Sequence, residues 1–172
     1  MRYRPVDRTV DKGLTIDLGG RKVRPEYLGR GNTAGDLVAV LPAEKMILTG
    51  DLLVHPFPFA TQSYISEWAT VLRRIDRMDL VTVVPGHGPV QHDKRYLEDV
   101  ALVLESITRQ ARAAYRPGMT VEALRAKVDL GPSSEKFAHG DSFITANFDH
   151  MGQSALDRMW QELSGDWQPE GE

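Results

Sequence analysis

The apolar residues of this chain change their period once, and that switch restricts the fold more than any other feature. Up to Thr49 they come in short alternating or continuous runs, as strands require. From Ser63 onward they fall three or four apart, as helix faces require. Leu14-Thr15-Ile16-Asp17-Leu18 alternates apolar and polar residues and reads as a strand. Gly19-Gly20 makes a two-residue hairpin turn, because glycine takes positive φ at little steric cost. Lys22 to Leu28 returns as a second strand, with Pro25 marking an edge or a bulge. Asp36 to Leu41 and Lys45 to Thr49 form another hairpin around Pro42-Ala43-Glu44. Their almost unbroken apolar character predicts burial on both faces.

Beyond the switch, Ile65, Trp68, Leu72, Ile75 and Met78 line one side of a helix from about Ser63 to Met78. Leu80 to Val84 is a short buried strand. Asp93 is placed to cap a long helix carrying Leu97, Val100, Leu104 and Ile107, which Pro117-Gly118 ends. Thr120 caps a further helix from Val121 to Val128, residues 131–141 read as loop, and a last helix from Ser154 to Leu163 buries Leu156, Met159 and Trp160. The polar tail from Gly165 is expected to fray. Strands first, then helices around one more strand, give a mixed α/β (α+β) chain with one sheet and helices on one of its faces.

Composition narrows the function classes. The 172 residues carry a net charge of −3, which gives no electrostatic reason to expect nucleic acid or an anionic membrane as partner. There is no cysteine, hence no disulfide, no thiolate nucleophile and no cysteine-ligated zinc. No run of about 18 apolar residues is present, and Met1-Arg2-Tyr3-Arg4-Pro5 lacks the apolar stretch of a signal peptide, so the expected compartment is the cytoplasm.

Two residues stand out as candidates for chemistry. Asp51 ends an apolar strand after Gly50 and is either a metal ligand at the strand rim or a turn residue bonded to its own backbone. His87 sits in Pro85-Gly86-His87-Gly88-Pro89, where glycine on both sides presents the imidazole outward; it is either a ligand or a turn histidine. His55, four residues beyond Asp51, is a possible third ligand or part of a pocket wall. His92, His139 and His150 read as helix-terminus or helix-face residues. Phe57, Phe59, Tyr64 and Trp68 form an aromatic group that floors a pocket or, more simply, packs the next helix. Arg73, Arg74 and Arg77 read as the wet face of that helix.

In order, Gly29-Arg30-Gly31-Asn32-Thr33-Ala34-Gly35-Asp36, Leu48-Thr49-Gly50-Asp51 and Val84-Pro85-Gly86-His87-Gly88-Pro89 resemble the second half of a metallo-β-lactamase-fold hydrolase. The match runs from about Leu14 to Leu104. The resemblance implies one sheet-plus-helices layer of a four-layer αβ/βα sandwich over residues 1–115, with residues 116–172 as a helical extension packed on it. It implies a metal-dependent hydrolase of the ester, amide, lactam or phosphoester class acting on a small molecule. Asp51 and His87 then hold at most one ion, zinc or else iron or manganese. The family's first-half His-x-His-x-Asp-His cluster is absent, since no histidine precedes His55, and the third-histidine position is Asn32. Asn32, Thr33 and Asp36 are left as substrate-holding or supporting residues, Asn32 equally well as a loop amide. Such an incomplete site is read in two ways, as a truncated hydrolase or as a non-catalytic remnant that binds a partner; a fragment beginning at an internal methionine would look the same.

A single layer would leave the second face of its sheet open to water. Exposed apolar area of that extent marks an interface. The expected partner is a second copy of this chain or a complementary first-half chain.

Overall fold

The computed structural model describes residues 5–6, 9–10, 13–57 and 59–166. Five strands form one sheet in chain order: β1 (Ile16–Asp17), β2 (Lys22–Tyr27), β3 (Leu37–Leu41), β4 (Met46–Val54) and β5 (Thr82–His87). Neighbours are antiparallel except β4 and β5, which run parallel. Five helices complete the order: α1 (Ile65–Asp76) between β4 and β5, then α2 (Arg95–Ala114), α3 (Val121–Arg125), α4 (Gly131–Ala138) and α5 (Ser142–Ser164).

The first hairpin is tighter than its pattern suggested, with only Ile16 and Asp17 pairing to Val23 and Lys22. Its turn is fixed by the Asp17 carboxylate, which accepts from the backbone N–H groups of Gly19 and Gly20 at 2.9 and 3.1 Å. Pro25 faces no β1 partner, so β2 is an edge at that point and the missing donor costs nothing. The cross-strand pairs Pro25–Ala39, Tyr27–Leu37 and Ala39–Leu48 fix which residues share a face.

β3 and β4 correct the expectation of burial on both faces. Val38, Val40, Ile47 and Val83 point to the helices and are buried, whereas Leu37 and Leu48 on the opposite face are 44% and 40% exposed. β4 also continues five residues past Thr49, through register shifts around Gly50 that carry it to Val54.

One core lies between the sheet and the helices. α1 contributes Ile65, Trp68, Ala69, Val71, Leu72 and Ile75, and each large side chain buried there is worth about 1.5–3 kcal/mol. α2 adds Leu97, Val100, Val103, Leu104 and Ile107, and α5 adds Phe148, Ala155, Leu156 and Met159 to the same cluster. Arg158 of α5 is 3% exposed, and its Nε and Nη2 both donate to the Ser63 carbonyl, tying α5 to the entrance of α1.

The C-terminal part is more helical than its sequence pattern indicated. Residues 131–138, expected as loop, form α4; Pro132 occupies its first turn and the Asp129 carboxylate accepts from the Gly131 N–H at 2.9 Å. α5 starts at Ser142, capped by Asp141, which accepts from the N–H groups of Phe143 and Ile144. Thr120 caps α3 as expected, but that helix stops at Arg125. α2 begins at Arg95, whose N–H donates to Asp93 at 3.0 Å. The tail from residue 167 and the N-terminal residues 1–4 lie outside the described residues. Among the described residues no helix is long and apolar enough to cross a membrane.

Candidate functional site

The parallel pair β4–β5 ends at one rim of the sheet, and the carboxyl ends of parallel strands are where open α/β sheets place their ligands. Pairing of Gly50 with Pro85 and of Val54 with His87 brings the two motif-bearing segments together there. The Asp51 and His87 side chains meet across the rim, with His87 Nε2 3.5 Å from Asp51 Oδ1. Both are open to solvent, His87 at 71% and Asp51 at 53%.

That approach depends on Gly86. A Cβ at this position would lie 2.2 Å from Asp51 Oδ1 and 2.8 Å from the Gly50 carbonyl carbon, so only glycine lets the strands close. His55 donates its backbone N–H to the His87 carbonyl at 3.0 Å, which holds the loop after β4 against the end of β5. Two side chains support the same stretch from behind. Trp68 Nε1 donates to the Leu52 carbonyl at 3.1 Å, and Tyr96 donates its hydroxyl to the Val54 carbonyl at 2.6 Å. Burial holds the Tyr96 phenol well above its ordinary pKa, so it remains a donor at all physiological pH. The sequence pattern read Trp68 as helix packing or part of a pocket floor, and Tyr96 carried no signal, because its role arises from a contact 42 residues away along the chain.

The loop before β3 is closed on itself. Asp36 accepts from the Thr33 N–H and hydroxyl, both at 2.8 Å, and from the Asn32 backbone; Gly31 N–H donates to the Thr33 carbonyl at 3.0 Å. Desolvation raises the Asp36 pKa, these hydrogen bonds oppose the rise, and the nearby Asp51 carboxylate adds to it. Asp36 therefore faces the rim closely enough to sense its charge, while its oxygens are engaged within the loop.

Of the remaining histidines His55 lies beside the rim, against Gly88, yet no third side chain joins Asp51 and His87 among the described residues. The His55 ring lies 5.3 Å from that of Tyr96, and the His150 ring lies 5.5 Å from that of Phe59. His92 is exposed, and His139 is the left-handed cap of α4. Phe57, Tyr64 and Trp68 are buried in the core and Phe59 is 43% exposed, so the aromatic group packs helices more than it floors a pocket. Phe57 meets Phe137 edge to face and lies tilted against Phe148.

The donor set bears on metal binding. A separation of 3.5 Å exceeds a normal N–H···O contact, and it is close to the roughly 3.3 Å spacing of two tetrahedral ligands bound about 2.0–2.1 Å from a shared zinc. Imidazole and carboxylate are both ordinary zinc donors. Among the described residues, however, no group of three His, Asp or Glu side chains lies together. This chain thus fits two positions of a site and falls short of the three protein ligands of a catalytic zinc.

The fold is part of a metallo-β-lactamase fold. It is similar to the solved metallo-β-lactamase from Pontibacter korlensis, with a TM-score of 0.52 and 27% identity over 58% of this chain and 48% of that one. The metallo-β-lactamase IND-7 matches in fold, with a TM-score of 0.52 at 17% identity over 59% of this chain and 49% of that one. In sequence, the chain is 36% identical over 84 residues to the type 2 metallo-β-lactamase of Bacillus cereus, covering 44% of this chain and 32% of that protein. It therefore spans about a third of the curated relative's length and about half of each solved structure. No family profile matches.

Proposed function

We propose that this chain is one layer of a metal-dependent hydrolase of the metallo-β-lactamase superfamily, acting on an ester, amide, lactam or phosphoester of a small molecule. Asp51 and His87 are two ligands of a single zinc ion in this reading, and the observation that carries it is their 3.5 Å separation at the parallel rim. Bound zinc supplies a Lewis acid that makes hydroxide available near neutral pH. The chain's own residues orient that site: Gly86 permits the approach, the His55 N–H holds the loop, and Trp68 and Tyr96 fix the β4 backbone. Asp36, Thr33 and Asn32 form the wall beside it.

The missing ligands come, in this proposal, from a second αβ layer seated on the open sheet face, whether in a second copy of this chain or in a complementary first-half chain. The uncharged row of Tyr27, Leu37, Ala39 and Leu48 on that face supports the reading. His55 is the spare imidazole of this chain closest in sequence to Asp51.

Metal analysis of the protein after zinc incubation and desalting tests the assignment. About one equivalent is expected, lost in both Asp51→Ala and His87→Ala, with turnover of a chromogenic ester or lactam following the metal. Retention of zinc by both variants would place the ion elsewhere. No retained zinc in the wild-type protein would leave the partner-binding remnant as the reading to pursue.

A further inference from the structure

α5 reaches the entrance of α1 through two charged side chains one turn apart. Arg158 is the one charged side chain that is buried among the described residues. Burying a guanidinium costs free energy unless its N–H groups find acceptors, and here the acceptor is a backbone carbonyl. Its Nε and Nη2 donate to the Ser63 oxygen at 3.1 and 3.0 Å, across 95 residues of sequence. Glu162, on the next turn, accepts from the Ser66 N–H at 3.4 Å. It meets the first turn of α1, where backbone donors lack helical partners, and fills from α5 the role that a local N-cap residue usually has. A methionine in place of Arg158 would occupy similar volume without the desolvation cost. The charge is therefore explained by the carbonyl it holds rather than by packing.

The same entrance is tied on its other side to the loop beside the rim. The Tyr64 N–H donates to the Gly31 carbonyl at 2.8 Å. Gly31 has no room to shift: a Cβ there would lie 2.3 Å from Leu52 Cδ2 and 3.2 Å from both Asp36 Oδ2 and Trp68 Cδ1. Arg30 spans the junction as well, its guanidinium 4.2 Å from the centre of the Tyr64 ring and its Nε donating to Glu67 at 3.2 Å. Asn32, Thr33 and Asp36 follow in the loop, which Asp36 closes on Thr33. A movement of residues 63–64 is thus passed directly to Gly31 and to the loop that begins there.

We propose that Arg158, assisted by Glu162, is a positioning residue for the rim: it fixes residues 63–64 from α5 and, through the Tyr64–Gly31 hydrogen bond, sets the Gly29–Asp36 loop. The helical extension is then part of the site's support as well as a cover for the core. The consequence for substrate rests on the proposed function, in which this loop is the wall of the site; the consequence for the loop itself does not.

Amide hydrogen exchange followed by NMR on metal-free protein tests the link. Arg158→Lys keeps the charge and loses the planar fork. Exchange at Tyr64 and Gly31 should quicken by about tenfold or more, while Val83 and Gln91, which pair with each other across the sheet, stay within about twofold. Unchanged exchange at Tyr64 and Gly31 would overturn the proposal. Equal acceleration at Val83 and Gln91 would overturn it too, because that is general loosening. Glu162→Ala carries the test where Arg158→Lys does not fold: the same two amides should quicken by about threefold, and no change there would count against the proposal equally. In zinc-loaded protein, Arg158→Lys should keep the metal content, raise KM by about fivefold and leave kcat within about twofold, since the wall moves and the ligands do not. A fall in kcat at unchanged KM would overturn the link to substrate. A wild-type protein that holds no zinc would remove the hydrolase reading, and the exchange result would still decide the role of Arg158.

Discussion

On the helix side of the sheet, Val38, Val40, Ile47 and Val83 are 0–4% exposed; on the other side their strand neighbours Tyr27, Leu37 and Leu48 are 40–44% exposed. The residue types are much the same, and so is the alternation that sets them apart. What differs is the cover: α1, α2 and α5 seal one face, and nothing among the described residues seals the other. The contrast shows that alternation tells which residues share a face, while burial is decided by what packs against it. It also explains why strands apolar on both sides looked fully buried in sequence and are only half so.

The sharpest way to break this contrast is to place the same charge on both sides of β3. Val40→Glu puts an unpaired carboxylate into the core and should cost about 3–5 kcal/mol in urea unfolding, enough to leave much of the protein unfolded. A stable Val40→Glu protein would mean that the helix-covered face is not the core.

The rim should respond next. Gly86→Ala drives a Cβ into Asp51 Oδ1, and zinc affinity should fall by about 10–100-fold, the range seen when the support of a ligand is disturbed. Unchanged affinity by competition with a chelating dye would detach Asp51 from the site.

A smaller effect is expected within the helical layer. The Arg73 guanidinium beside Glu105 holds that carboxyl below its ordinary pKa of 4.5. The folded state therefore binds this proton less readily than the unfolded chain does. The pair's contribution is present above pH 4.5 and fades as the pH falls through the lowered value. Glu105→Gln should lower stability at pH 7 by less than about 1 kcal/mol, since the pair is partly exposed, and the gap to wild type should close in acid. A gap that widens in acid would reverse the sign of the coupling.

The smallest effect is expected from Leu37→Glu, the partner experiment to Val40→Glu. It should change the stability of the isolated chain by no more than about 0.5 kcal/mol, while abolishing any association that sedimentation detects in the wild type. Equal losses from the two substitutions would erase the distinction between the faces.

Much of the sheet was legible before the structure. Gly19-Gly20 marked its turn, Pro25 its edge, and the three-to-four spacing from Ile65 its first helix. Asp51 after Gly50 and His87 between Gly86 and Gly88 stood out in sequence, and β4 and β5 bring their side chains to 3.5 Å. Other features were not legible. Gly131-Pro132-Ser133-Ser134 has loop composition, yet its proline sits in the first turn of α4, where a missing N–H costs nothing. The Arg73–Glu105 pair joins residues 32 apart in sequence, on two helices whose packing no local pattern encodes. Arg73, Arg74 and Arg77 read alike as a wet face, but they part in the fold: Arg73 pairs with Glu105, Arg74 reaches the Leu28 carbonyl, and Arg77 is exposed.

The isolated bridge between Val83 and Gln91 bears on how copies of this chain can meet. After β5 the chain doubles back, and Gln91 exchanges both backbone hydrogen bonds with Val83 at 2.9 Å. The outer side of β5 is thereby occupied near its start, and β1, at the opposite end of the sheet, offers only two residues. Pro25 interrupts the donors of the open part of β2, and short or proline-bearing borders disfavour sheet extension. The larger apolar surface among the described residues is the flat side with Tyr27, Leu37 and Leu48, so a stacked second layer is the assembly that the proposed function would use.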